Sequence, residues 1–546
     1  MTRGGHRPGV QVLLVQGRSE ATYWGYEHSL PFVRKAAALP PLGLATLAAL
    51  LPGRWALRLL DLNVSPLDDE ALRWADVVLV SGMLVQADSM RQVLRRARQL
   101  GRRSVVGGPA ASTTPEAFQE ADHVFRGEAE GRLELLVRAL EGPAVDAPRL
   151  LSPDDAARPD LRLARVPRFD LLDLSRYASV SLQLSRGCPF QCEFCDIIEL
   201  FGRVPRLKSP EQVLAELDAL HRLGASGSLF FVDDNFIGNR REVARLLPHL
   251  TRWQAAHGRP FDLYTEASVD LAAEPALVAA MVEAGFSAVF LGLETPSEAA
   301  LGEAGKRQNL RLDPSQAVRT LTRAGLEVLA GFIVGFDADG EDIFERQRAF
   351  ISALPIPRAM VGLLAAVPGT ALWRRLDREG RLRGASSGDQ FERPNFATVL
   401  DELTLLRGYR TLLADLYSDE AYYRRCRHHL EEAFIPARRA PADVAGILWR
   451  AVVGIGLRGR RRARFWRLVA GASRRGVAAM ARAVTLAVMG EHMIRYTEEQ
   501  VLPRLDRAIA ALEGSRAPLR PAARPTAGSA GAATPPWAGA ATSAGR

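Results

Sequence analysis

Short apolar runs alternate with helical segments twice along this chain, and that repetition limits the fold more than any other feature. In the first series, Val10–Gln16, Ala56–Leu62, Val77–Ser81, Ser104–Val106 and Val124–Arg126 read as strands, with helices such as Leu42–Leu51 and Ser89–Leu100 between them. Strands joined by helices pair in parallel, because a crossover of that length returns the chain in the same direction. Residues 9–141 therefore read as a doubly wound α/β sheet, an architecture that binds ligands at the carboxyl ends of its strands. The loops at those ends are Ser81-Gly82-Met83, Gly107-Gly108-Pro109 and Gly127-Glu128. Glycine there lets a large ligand approach the main chain.

Residues 142–178, rich in proline, aspartate and arginine, read as a linker. A second series occupies 179–397, with strands Ser181–Leu184, Leu229–Asp233, Asp262–Glu266, Ala288–Leu293, Val328–Val334 and Val361–Val367, and helices such as Pro210–Leu223 and Pro314–Ala324. Six such units predict a partial (β/α)6 barrel, whose chemistry belongs at the carboxyl ends of the strands. Those ends carry Arg186-Gly187-Cys188, Asp233-Asp234-Asn235, Glu266, Glu294, Gly335 and Pro368-Gly369-Thr370. Asp233–Asn235 serves equally well as a cap for the helix that begins near Arg240. Residues 398–513 read as helical from their 3.6-residue apolar period. From 514 to 546 the composition falls to Ala, Pro, Gly, Ser and Thr, which predicts a disordered tail.

The length of 546 residues calls for two or three domains. The longest apolar stretch near the C-terminus, Val477–Met489, contains Arg482 and falls short of the ~20 residues that cross a bilayer. With no secretory signal either, a soluble cytoplasmic protein without a transmembrane segment is expected. The net charge is +9, and its densest run is Arg458–Arg467. That run reads first as a solvated helix face and second as a contact for an acidic partner or a peripheral membrane surface. No nucleic-acid-binding signature accompanies it.

Three of the four cysteines, Cys188, Cys192 and Cys195, fall within eight residues, while Cys426 lies in a charged helical segment. Such clustering is a poor disulfide framework and a good metal site. Thiolates at C-x3-C-x2-C spacing in one loop after a strand can hold three irons of a cubane and leave the fourth open. A zinc site usually pairs C-x2-C knuckles, and the nearest following histidine, His221, lies inside a predicted helix.

This motif after the first barrel strand, with Phe194 before the last cysteine, resembles the radical S-adenosylmethionine (SAM) superfamily. An α/β sheet preceding such a barrel is similar to its cobalamin-binding class. The stretches Pro40-Pro41-Leu42-Gly43-Leu44, GCPFQCEFCDI, FVDDNFIGN, YTEASVD, GLETPS, GFIVGF and PGTALW resemble the branch that includes hopanoid C-2 methylases. The resemblance implies a [4Fe–4S] cluster on Cys188, Cys192 and Cys195, with SAM bound through Glu266, Ser268, Glu294, the adenine-lining segment Gly331-Phe-Ile333-Val-Gly335, and Gly369. It implies cobalamin on Ser81, Gly82, Met83, Gly107, Gly108 and Pro109, although the Asp-x-His-x-x-Gly motif of many cobalamin domains is missing. Neither His6 nor His28 occupies the ligand position of that motif.

The implied activity is methylation of an unactivated carbon of a lipid-like or other small-molecule substrate through a 5′-deoxyadenosyl radical. Flavodoxin or ferredoxin would supply the electron. Two alternatives stay open: a radical SAM cyclase or carbon–carbon coupling enzyme without methyl transfer, and a non-catalytic iron–sulfur or corrinoid sensor.

Overall fold

The first sheet of this computed structural model, which describes residues 9–141, 148–152, 158–391, 393–436 and 443–516, is parallel throughout. Its strands are β1 (Gln11–Gln16), β2 (Ala56–Asp61), β3 (Val77–Ser81), β4 (Arg103–Gly107), β5 (His123–Phe125) and β6 (Leu150–Leu151), in the order β2-β1-β3-β4-β5-β6. Val12, Leu13, Leu14 and Val15 are all buried, because helices cover both faces and a parallel strand so covered needs apolar side chains on each side. β6 lies within the stretch read as a linker, and that reading is corrected: two residues carry no legible alternation, yet Arg126 N donates to Leu151 O at 3.0 Å.

The second sheet is a half-barrel. Strand β7 (Ser179–Leu182) is followed by a small antiparallel pair, β8 (Ser185–Arg186) and β9 (Arg206–Leu207). Then come β10 (Gly227–Phe231), β11 (Phe261–Ala267), β12 (Phe286–Glu294), β13 (Glu327–Val334) and β14 (Ala359–Leu363), in the order β14-β13-β12-β11-β10-β7. Along β11 and β12, side chains alternate between full burial under the outer helices and partial exposure toward the lumen. Two strands end earlier than their apolar runs imply. β10 stops at Phe231 rather than Asp233, and β14 at Leu363 rather than Val367.

An open half-barrel has two unpaired edges, and distant segments cover both. At β7, Ala178 N donates to Ala37 O at 2.9 Å and Ser179 N to Ala38 O at 3.0 Å, so the N-terminal domain supplies the cover. At β14, the Tyr409 hydroxyl donates to Val361 O at 2.7 Å, and Tyr417 donates to Ala359 O. Both tyrosines belong to the helical region, formed chiefly by Glu402–Leu416, Asp419–Glu432, Val477–Tyr496 and Leu502–Arg516. Helix Leu502–Arg516 runs through Gly514, so the tail starts later than expected; residues 517–546 and His6 lie outside the described residues. Among the described residues one continuous helix, Val477–Gly514, is long and apolar enough by length and composition to cross a membrane, against the expectation drawn from the shorter run Val477–Met489. Half of its apolar window is buried inside the protein, where it packs on helix Asp419–Glu432.

Candidate active site

The three clustered cysteines sit in the loop between β8 and β9, and later parts of the chain clamp that loop. Leu184 N donates to Asp233 at 3.2 Å, Ser185 N to the same carboxylate, and Gly187 N to Asp234 at 2.9 Å. Glu193 N donates to Ala304 O at 2.9 Å, and Leu372 N to Glu193 O at 2.8 Å. Gly305, at φ +68°, passes so close that a Cβ would stand 2.7 Å from Gln191 O; only glycine meets both demands. Asp233 and Asp234 are therefore anchors of the cysteine loop. The cap of helix Arg240–Ala256 is Asn239, which accepts from Glu242 N.

Amide donors face the sulfurs. Asn235 Nδ2 lies 4.0 Å from Cys188 Sγ, and Gln308 Nε2 lies 3.8 Å from Cys192 Sγ. Burial raises the Cys188 and Cys195 thiols while the nearby Lys306 ammonium pulls the other way; a bound metal removes such protons outright. Among the described residues no three His, Cys, Asp or Glu side chains converge on one ion. A cubane makes a different demand, because each of three irons takes one thiolate. Three thiols in one loop, with donors turned to two of them, suit that group. Cys426 is apart from this loop, fully buried in helix Asp419–Glu432, and burial pushes its thiol up to about 12.

Glu266 is the penultimate residue of β11 and Ser268 follows that strand at the rim above the lumen, while Glu294 ends β12. Asn235 ties Ser268 to the cysteine loop: its Nδ2 donates to Ser268 Oγ at 3.2 Å, and Ser268 N donates to its Oδ1 at 3.3 Å. Burial, then Asp234 and Asp233, push the Glu266 carboxyl up to about 8. Glu294 is a left-handed non-glycine residue, φ +62°, at a register shift between β12 and β13. That conformation is costly and persists where surroundings impose it. Here Asn309 Nδ2 donates to Gly292 O at 2.9 Å, and Gln347 Nε2 to Glu294 O at 3.1 Å. The distortion brings the Glu294 carboxylate to Lys306 Nζ at 2.5 Å. A Cβ on Gly292 would collide with that carboxylate. Neither glutamate caps the next helix; Ser297 caps Glu298–Glu303.

Gly331 and Ile333 lie on the lumen side of β13, alternating with buried Phe332 and Val334. A Cβ on Gly331 would stand 2.8 Å from the Phe290 ring. Gly335 N donates to Asp339 at 2.8 Å, and Gly369 precedes the cap residue Thr370 of helix Ala371–Arg378. Lower in the lumen, the Phe230 and Tyr264 rings stack at 4.6 Å, and Trp24 meets Phe290 edge-on at 5.1 Å. Glu327, paired with Arg358 at 2.6 Å and with Arg482, closes the amino end.

In the N-terminal sheet the strand order reverses between β1 and β3, where such folds open a crevice. Buried Gln86 binds the crevice together: its Nε2 donates to Gly17 O at 2.6 Å, and its Oε1 accepts from Met83 N at 2.9 Å. Ser81, Gly82 and Met83 adjoin Gly107, Gly108 and Pro109, with Ala110 N donating to Gly82 O at 3.1 Å. Met83 is 61% exposed. Gly108, at φ +85°, leaves space that the Ser81 hydroxyl fills, so this glycine is needed by its own loop. A Cβ on Gly107 meets nothing closer than 3.6 Å, which leaves the backbone there open to a ligand. Helix Gly108–Thr113 lies against helix Ile197–Phe201 of the cysteine loop, so the two ligand-facing edges confront each other. Arg186 joins them, paired with Glu128 at 2.9 Å and Glu130 at 2.7 Å, and Arg206 reaches Glu128 at 2.9 Å. His28 is elsewhere, beside His492 and 3.7 Å from Glu499.

Lys306, Gln308, Gln86 and Trp24 were missed as site residues by sequence reasoning, which had Asn235 only as one of three rim residues that could equally cap a helix. A strand-end glutamate such as Glu294 signals the need for a cation, but nothing in the sequence says which lysine supplies it.

Three family models match the chain: the B12 binding domain over residues 34–137, the radical SAM superfamily over 182–348, and a domain of unknown function, DUF4070, over 370–503. The chain is 40% identical to an uncharacterized methyltransferase of Synechocystis sp. over 90% of its own length and 92% of that protein's. It is 34% identical to the hopanoid C-2 methylase of Rhodopseudomonas palustris, covering 90% and 94%. Among solved structures it is similar to OxsB, a cobalamin-dependent SAM radical enzyme, with TM-score 0.57 and 15% identity over 93% of this chain and 84% of that one. It is also similar to the radical SAM methyltransferase TsrM of Kitasatospora setae, with TM-score 0.53 and 18% identity over 68% and 78%. At such identities the two structures establish the fold alone.

Proposed function

We propose a reaction from one premise: this chain belongs to the cobalamin-dependent radical SAM methyltransferases, whose cofactors are a [4Fe–4S] cluster, SAM and cobalamin. In this reading it is a cytoplasmic enzyme, reduced by flavodoxin or ferredoxin, that methylates an unactivated carbon of a lipid-like substrate through a 5′-deoxyadenosyl radical. The observation that carries the substrate class is the lumen, where Phe230, Tyr264, Phe290 and Trp24 present aromatic surface directly below a polar rim. Such a lining favours an apolar molecule and excludes water from a reactive carbon.

Bound in this site, the cofactors supply hydrogen abstraction and the methyl group; the protein holds and orients. Cys188, Cys192 and Cys195 each give one thiolate, and Asn235 and Gln308 steady the sulfurs. Glu266, Ser268 and Glu294 receive the polar end of SAM, while Gly331, Ile333, Gly335 and Gly369 border its flat end. Glu266 keeps its proton near neutral pH until a cation arrives, and Lys306 holds the Glu294 side chain in place through their ion pair. Ser81–Met83 and Gly107–Pro109 would hold cobalamin at the edge of the first sheet, where it would supply the methyl group.

Anaerobic turnover tests this reading. With SAM, reductant, cobalamin and a polycyclic lipid, equal yields of S-adenosylhomocysteine and 5′-deoxyadenosine are expected. 5′-Deoxyadenosine alone would replace methyl transfer with cyclisation or coupling, and no SAM cleavage at all would leave a sensor.

A further inference from the structure

Helix Val444–Ala451 and its π-helical continuation Val452–Leu457 are apolar along their length, yet much of that surface is uncovered. One side packs inward: Arg450 Nε donates to Phe32 O at 2.6 Å, and a Cβ on Gly454 would stand 3.0 Å from the Phe32 ring. The opposite arc carries Val444, Leu448 and Trp449, and Trp449 is 68% exposed. Leu457 extends the patch, and beside it Trp466 is held by a 2.9 Å bond from its indole N–H to Gly456 O. Monomeric proteins seldom leave such large apolar side chains together in water.

The surrounding charge says what covers them. Arg460, Arg461 and Arg464 are matched by Glu498, Asp419 and Glu420. Arg458, Arg462, Arg467 and Arg474 are exposed and have no carboxylate partner among the described residues. Exposed tryptophan and leucine, followed along the chain by unmatched arginines on the helix packed against the same segment, complement a surface that is anionic outside and apolar just beneath. The apolar helix of fourteen residues is about 21 Å long, shorter than the ~30 Å hydrocarbon core, so it lies in the interface and does not cross it. We propose that this patch docks the protein on an anionic lipid bilayer. The helix packs on Phe32, in the same N-terminal segment whose Trp24 meets Phe290 inside the lumen.

Flotation of the full chain with phosphatidylcholine vesicles, with and without phosphatidylglycerol, tests the proposal. Binding to the mixed vesicles is expected to exceed binding to pure phosphatidylcholine by about ten-fold or more. The pair Leu448→Ser/Trp449→Ser, and separately Arg458→Glu/Arg462→Glu/Arg467→Glu, should each lower it by about ten-fold or more while iron content and unfolding midpoint stay unchanged. Brominated lipid should quench wild-type fluorescence, and Trp449→Phe should remove part of that quenching. The proposal is overturned if the wild type stays in the aqueous fraction, or if both variant sets float as it does. It is equally overturned if vesicles remain unbound while Leu448→Ser/Trp449→Ser abolishes self-association, which would assign the patch to a second copy of the chain.

Discussion

His492 has both ring nitrogens engaged in a neutral form: Nε2 bonds Thr22 O at 2.9 Å, and Nδ1 accepts His28 N at 3.4 Å. The Glu27 carboxylate, 3.6 Å from Nδ1, is itself raised by burial and does not stabilise a cation there. Burial lowers His492 from 6.5 to about 4. The folded state therefore binds fewer protons than the unfolded chain, so the stability this group contributes is present above pH 6.5 and is lost as pH falls toward 4. The loss is about 3 kcal/mol at most. His492→Gln, whose amide can donate and accept in the same way, should flatten that acid limb in denaturant unfolding and change neutral stability little. At the same scale, anaerobic reconstitution should give about four irons per chain. Cys192→Ala should lose the cluster and SAM cleavage, and Cys426→Ala should keep both. Full iron in Cys192→Ala would remove that residue as a ligand.

Strand ends act through the loops they hold. Asp233 and Asp234 follow β10; Asp233 accepts amides of Leu184 and Ser185 at the entry to the cysteine loop, and Asp234 accepts the amide of Gly187 within it. Asp234→Ala should therefore lower iron content at least about two-fold with every cysteine intact, measured by iron and sulfide assay; unchanged iron would mean the loop holds itself. In the first sheet, a bulky side chain at Gly108 would collide with Ser81 before reaching any ligand, so Gly107 is the better probe. Gly107→Val should eject cobalamin, read from the visible spectrum of the anaerobic protein, and leave the iron–sulfur absorbance unchanged. Retention of cobalamin would place it elsewhere on the sheet edge.

The domains meet through charge as well as apolar surface. Glu128 and Glu130 of the first domain enclose Arg186, the residue two before Cys188, and the glutamates are almost fully buried. Removing one partner strands a buried charge at a cost of about 3–5 kcal/mol. Glu130→Ala should lower the unfolding midpoint and speed proteolysis between residues 142 and 178, two readouts that report the domain junction together. A midpoint equal to wild type would show the junction is carried by apolar contacts.

Much of this architecture is written locally. The buried run Val12–Val15, the alternation along β11 and β12, and the spacing of Cys188, Cys192 and Cys195 each follow from neighbours in sequence. Together they determined two parallel α/β sheets and a thiolate loop at one rim. The tertiary structure alone decided the rest: Lys306 as partner of Glu294, Asp233 as anchor rather than cap, and β6 as a strand. It also decided that Ala37 and Ala38 on one side, and Tyr409 and Tyr417 on the other, cover the edges of the half-barrel. The physical reason is common to all of these. Periodicity records which face of an element is apolar, because every residue of that element contributes to it. A single buried ion pair or edge hydrogen bond joins two positions whose separation in sequence leaves no repeating mark, so it exists only once the chain has brought them together.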